Sequence, residues 1–207
     1  MIKKTVAIIL ALVMVFCFAS CNKEKEFTLG TVNGDSYENE FIGVGYTLDE
    51  GWSFMSRADL LSEMGVDQTL SGEELEAAIN QADIISDMDA SIADGTESVF
   101  VQAKNMGMVF GTIMGEDKYI DMWQEALDED YSENGNFDDV VYTKEAVDFC
   151  GRKCKSLNVH LKSGDINVYQ KTIFIKIDGY MIEIVVTSVT DWNAVDGILD
   201  NFYSLAD

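Results

Sequence analysis

Few side chains in this chain of 207 residues could carry chemistry: one histidine, four cysteines and 37 carboxylates. His160 is the only imidazole, so acid–base catalysis near neutral pH would centre on it. The run Leu157-Asn158-Val159-His160-Leu161-Lys162 alternates, which puts His160 on one strand face with Asn158 and Lys162. That face is polar, and a solvent-exposed histidine is expected. No Gly-x-Ser-x-Gly elbow and no phosphate-cradling glycine loop occurs. Cys150 and Cys154 flank Gly151-Arg152-Lys153 between two apolar-patterned stretches. A hairpin there allows either a structural disulfide or two free thiols. A redox pair normally has two intervening residues, and a zinc site needs further ligands.

Asp83, Asp87, Asp89 and Asp94 are the best-spaced acids for calcium. Counting from Asp87, however, Ile92 stands where the calcium loop needs glycine, and Ser98 where it needs glutamate. No metal and no cofactor is therefore expected. Asp128-Glu129-Asp130 and Asp138-Asp139 read as solvated surface. Glycoside hydrolysis needs two carboxylates at a set separation in a cleft, and so many acids cannot nominate a pair. Trp52, Trp123 and Trp192 could line a sugar or peptide groove, but each sits where a core residue is expected.

Against 37 acids stand 14 lysines and arginines, a formal charge of −23. That charge repels phosphate backbones and excludes nucleic acid as a partner. The leader is the exception. Lys3 and Lys4 precede an apolar run from Val6 to Phe18, and Ala19-Ser20 follow. A basic head, a short apolar core and small residues make an export signal. The run of 13 residues is shorter than the roughly 20 a membrane span requires. Phe18-Ala19-Ser20-Cys21 resembles the lipobox of bacterial lipoproteins. That resemblance implies cleavage after residue 20, a diacylglyceryl group on the Cys21 thiol and a lipid-anchored protein on the extracytoplasmic face of the cell membrane. Cys17 would leave with the leader. The charge of the remaining 187 residues becomes −25, because the leader carries two lysines and no acid. Residues 21–36 are expected to be the lipidated N-terminus and a charged linker.

The elements that position these groups follow from periodicity. Thr31 to Asn39 is polar and reads as an opening loop. Phe41 to Leu48 predicts a first strand, Asp49-Glu50-Gly51 a turn, and Trp52 to Phe54 a resumed strand. Ser56 caps a short helix to Met64, which Gly65 stops. Ser71-Gly72-Glu73-Glu74 has the form of a capping box, and its helix is expected to run through Ile84 and Ile85 toward Met88. Val99, Val101 and Ala103 mark a strand. Gly115 to Tyr131 predicts a helix with Tyr119, Met122, Trp123, Ala126 and Leu127 inward. Four strands then follow on short links: 137–149, 154–161, 166–177 and 180–187. Short links require antiparallel neighbours, hence a meander. Thr190 or Asp191 caps a last helix, with Trp192, Val195, Ile198, Leu199, Phe202 and Leu205 facing the core. The class is α+β: an antiparallel sheet flanked by helices, in a single domain over residues 37–207.

Tyr37-Glu38-Asn39-Glu40-Phe41-Ile42-Gly43-Val44 leading to Leu48-Asp49-Glu50-Gly51-Trp52 resembles the opening of PsbP/Mog1-like domains. The late hairpins followed by Phe202-Tyr203-Ser204-Leu205 are similar too. The chain also resembles small lipoproteins of anaerobic gut-type bacteria. These resemblances imply a noncatalytic accessory or binding module of the cell envelope, with an envelope protein or ligand as partner. A carboxylate-dependent hydrolase and a small-molecule or metal carrier are the alternatives.

Overall fold

The computed structural model describes residues 25–107, 111, 113–134 and 137–205. The leader, Cys17 and Cys21 lie outside the described residues. Two antiparallel sheets carry the fold. The smaller has the order β1-β2-β3-β11, from Thr31–Asn33, Ser36–Asn39, Val44–Thr47 and Phe202–Ser204. The larger has the order β4-β5-β6-β10-β9-β8-β7. Its strands are β4 (Trp52–Phe54), β5 (Ile84–Ile92), β6 (Glu97–Asn105), β7 (Asp139–Phe149), β8 (Arg152–Ser163), β9 (Ile166–Ile177) and β10 (Tyr180–Ser188). The helices are α1 (Arg57–Glu63), α2 (Glu73–Ile79), α3 (Glu116–Asn134) and α4 (Trp192–Leu199). Among the described residues no helix is long and apolar enough to cross a membrane.

The expected α+β class and the meander β7-β8-β9-β10 are present. Two of its turns are two-residue hairpins with both central residues left-handed, Cys150-Gly151 and Asp178-Gly179. This conformation matches the twist of the flanking strands. Glycine adopts it freely at Gly151 and Gly179, while Cys150 and Asp178 bear a small steric penalty. β10 is buried on both faces, as a central strand should be. One face of the large sheet packs on the small sheet and on α1, α2 and α4, through Ile182, Ile184, Val186, Val195 and Ile198. The other face takes α3, through Tyr119, Ile120, Leu157, Val159, Phe174 and Met181.

Several expectations are corrected. The body begins before residue 36: Phe27 is buried against Phe41 and Tyr180, and Thr31 to Asn39 is a hairpin, not a loop. α2 ends at Ile79 with Asn80 as its cap, and Ile84 starts a strand. Helical spacing there is an accident of a β-bulge. The register of β5 slips between Ser86 and Met88, so Ile85 and Met88, three apart, share one sheet face. Gly72, not Ser71, stands at the N-cap of α2, with no side-chain cap. On α3, Ile120 turns inward, while Met122 and Ala126 face solvent. α4 stops at Leu199, because Phe202 to Ser204 pairs with Val44 to Tyr46 in the small sheet. Asp191 is its cap, accepting from the Ala194 N–H at 2.9 Å.

Candidate functional site: a polar groove under the last helix

The α4 side of the large sheet changes character along its length. Toward β6 and β10 it is aliphatic and sealed. Toward β7 it becomes a polar floor, because three strands there present polar residues in register. Paired residues of antiparallel strands lie on the same face. Val141 pairs with His160, which pairs with Tyr169; Thr143 with Asn158, then Lys171; Glu145 with Ser156, then Ile173. α4 forms the wall. Trp192 packs edge-on to Tyr169 with ring centroids 5.3 Å apart, and Asp196 holds the Lys171 ammonium at 2.6 Å. His160 stacks on Tyr169 at 4.7 Å, and its Nε2 lies 3.1 Å from the Asn167 Oδ1. The histidine expected in solvent is therefore half-buried and held on two sides. Its partners come from the next strand, which pairing register controls and local pattern does not.

The groove has two adjoining depressions of about 340 and 460 Å³. Lys171 and Asp196 line both, so their ion pair sits at the junction. Val147, Phe149, Cys150, Leu199 and Phe202 line the second depression together with Asp148 and Asp200. On the floor of the first, Asn158 is 6% exposed and its Oδ1 has no hydrogen-bond partner. The Oγ of Ser156, two residues earlier on the same strand face, is fully buried and also unpartnered. Leaving such an atom unsatisfied costs about 1–3 kcal/mol. Asn158 lines the first depression, so there the fold has given up stability for a polar surface, whereas Ser156 lines neither depression.

Elsewhere, the Tyr46, Tyr142 and Thr172 hydroxyls are also buried without a partner, but the two buried carboxylates are satisfied. Asp87 is the extra residue of the β5 bulge, which aims its carboxylate inward. It accepts from the Gly30 N–H at 2.7 Å, the Tyr37 hydroxyl at 2.5 Å and the Asn39 amide at 2.5 Å. The Arg57 guanidinium lies 3.7 Å away and also donates to the Asp87 and Gly30 carbonyls. Burial pushes the Asp87 carboxyl up, although these donors pull it down. Glu183 on β10 accepts from Gln102 and Tyr119, and burial raises its pKa as well. Both sites stitch elements together. The Asp87 cluster pins the segment at Gly30 to α1 and β5, and the Glu183 cluster pins α3 to the sheet.

The other expected site residues are dispersed. Asp94 accepts from Thr96 in its turn, and Asp89 is half-buried with its carboxyl raised by burial and by Glu63. Among the described residues no group of three or more histidines, cysteines or acids is placed to hold a metal ion. Cys150 and Cys154 are free thiols. Cys150 occupies the turn itself, whereas Cys154 lies opposite Val147. Burial raises both thiols, Cys154 to about 11, so neither is an activated nucleophile. Trp52 packs against the larger core and Trp123 on Phe174. Trp192 alone of the three tryptophans reaches the groove. Sequence reasoning named none of Glu145, Ser156, Lys171 or Asp196 for this site. The available signal was three polar residues, Ser156, Asn158 and His160, alternating with Leu157, Val159 and Leu161 along the middle of β8.

No family model matches the chain, and no curated protein matches it. Solved structures with a similar layout include a cyanobacterial PsbP, CyanoP, from Synechocystis sp. PCC 6803. It is 15% identical, with 85% of this chain and 98% of that chain covered and a TM-score of 0.48. LpqN of Mycobacterium tuberculosis, described as involved in cell envelope biogenesis, is 11% identical over 77% of this chain and 82% of its own, with a TM-score of 0.35.

Proposed function

We propose that this chain is an exported, lipid-anchored, noncatalytic binding module whose groove beneath α4 takes a small hydroxyl-rich ligand such as a saccharide. The observation that carries the ligand reading is the buried, unpartnered oxygen on the groove floor, Asn158 Oδ1. An amide oxygen only accepts, so its complement is a donor. Glu145 and Asp196 add further acceptors around the same space. A phosphate or carboxylate would meet these head-on, whereas a hydroxyl can give a proton to Asn158 and receive one from Thr143 or Lys171. Trp192 supplies an apolar surface for a ring face. The anchor reading rests on the leader and Cys21. Two acyl chains would moor the protein without a membrane-binding surface of its own.

The ligand reading is tested by thermal denaturation of the purified protein with neutral mono- and disaccharides and with citrate and inorganic phosphate. A ligand bound only by the folded state raises the midpoint. A rise with one or more neutral sugars, lost in Asn158→Ala, is the expected result. A rise with the anions alone contradicts it. The anchor is tested by mass spectrometry of native material. An acylated N-terminal Cys21 is expected, and an intact leader with a bare thiol contradicts it.

A further inference from the structure

The two edges of the large sheet are built differently. β4 is three residues long, too short to template another strand. β7 is eleven residues long and pairs with β8 at every position without a bulge. Among the described residues no strand pairs with its outer side. Exposed edges of this length are normally blunted by proline, a bulge, brevity or charge, and of these β7 has only charge, at Asp139, Lys144, Glu145 and Asp148. This chain has no proline at all. The turn at Cys150-Gly151 fixes which backbone groups are free. The pair closing a two-residue turn, here Phe149 and Arg152, exchanges both its hydrogen bonds, and the pattern then alternates. The N–H and C=O groups of Val140, Tyr142, Lys144, Ala146 and Asp148 therefore point away from β8.

We propose that β7 is a docking edge for an extended, basic segment of a partner protein, which adds to the sheet as a further strand. Backbone pairing supplies the contact, and side-chain chemistry sets the partner. Val141, Thr143 and Glu145 face the α4 side, and Val141 is 46% exposed. Alternate side chains of an added strand would lie beside them at the mouth of the groove. Charge selects the sign. The edge lysine Lys144 is engaged by Asp121, and Lys153 is engaged by Asp148. Asp139 and Glu145 are exposed and join no ion pair among the described residues. A second copy would bring another chain of formal charge −23 to the same edge, so like-charge repulsion disfavours self-pairing. A lysine- or arginine-bearing segment meets no such barrier.

The probes are capped peptides about as long as β7, one alternating lysine and valine, the other glutamate and valine. Their binding to the purified protein is followed by titration and by amide hydrogen exchange. The basic probe is expected to bind about tenfold or more tighter than the acidic one. It should slow exchange at Tyr142, Lys144 and Ala146. Ala146→Pro removes an outward N–H and no internal ladder bond, so it should abolish binding while leaving the melting midpoint nearly unchanged. If that variant fails to fold, the double substitution Asp139→Lys with Glu145→Lys serves instead and should reverse the preference between probes. The proposal is overturned if neither probe binds, if both bind alike, or if the basic probe protects amides elsewhere. Concentration-dependent dimerisation that protects the same β7 amides would also overturn it, assigning the edge to a second copy.

Discussion

The Asp87 cluster and the Asn158 floor are both polar, both buried and both built on strands of one sheet, yet the fold treats them oppositely. Around Asp87, Gly30, Tyr37 and Asn39 donate to the carboxylate while Arg57 stands beside it. Around Asn158 the amide oxygen has no partner, and the space beside it is open. Low dielectric makes a satisfied network strong and an unsatisfied group costly. The first region therefore reads as architecture and the second as a surface kept for something else. Burial alone does not separate the two; an unpartnered atom that also borders an open cavity does.

The largest expected effect breaks the satisfied side. Asp87→Ala leaves Arg57 half-buried without its charge partner and strands three donors, and should cost about 3–5 kcal/mol in denaturant unfolding. The released segment at Gly30 should then become accessible to protease.

A smaller effect concerns pH. Both Asp87 and Glu183 have carboxyl pKa values raised by burial. An acid whose folded pKa lies above its unfolded value holds its proton more tightly when folded. Stability therefore falls as pH rises from the ordinary carboxylate range through the raised values, and is regained on acidification. Melting midpoints should climb as pH is lowered from neutrality toward the ordinary carboxylate range. Glu183→Gln should flatten part of that slope, and at neutral pH it should change stability by no more than about 1–2 kcal/mol.

Smaller again, and opposite in sign to most core changes, is Asn158→Val. Removing an unsatisfied buried acceptor should leave the free protein as stable or up to about 1 kcal/mol more stable. The same substitution should erase any sugar-induced shift. If it destabilises strongly, Asn158 belongs with Asp87 as architecture and the contrast fails. Least of all, Asp196→Asn should change stability by under about 1 kcal/mol, since the Asp196 carboxylate is 58% exposed.

The meander was legible because its signals are local. Asp178-Gly179 and Ser163-Gly164-Asp165 sit between alternating runs, and the strands fall within a few residues of where alternation puts them. Residues 73–88 misled because the β5 bulge gives Ile85 and Met88 a spacing that mimics a helix. The same bulge hides Asp87, which no period marks as buried. The groove was half legible. Alternation did put Asn158 and His160 on one polar face, but polarity alone reads as solvent. What covers that face is α4, brought over it by Trp192 against Tyr169 and Asp196 against Lys171, contacts between elements that no local pattern encodes. Phe202 was assigned inward correctly but to the wrong element, because its strand partner, Tyr46, is distant in sequence.

The most direct test of the groove is a solution NMR titration of the purified protein with maltose and other neutral disaccharides, following the Asn158 side-chain amide and the backbone amides of Ser156, His160 and Lys171. Saturable shifts that move these signals together for at least one sugar, and that vanish in Asn158→Val, are the expected result. Saturable shifts confined to other parts of the sheet, or no shift with any sugar while citrate or phosphate moves the same signals, would contradict it.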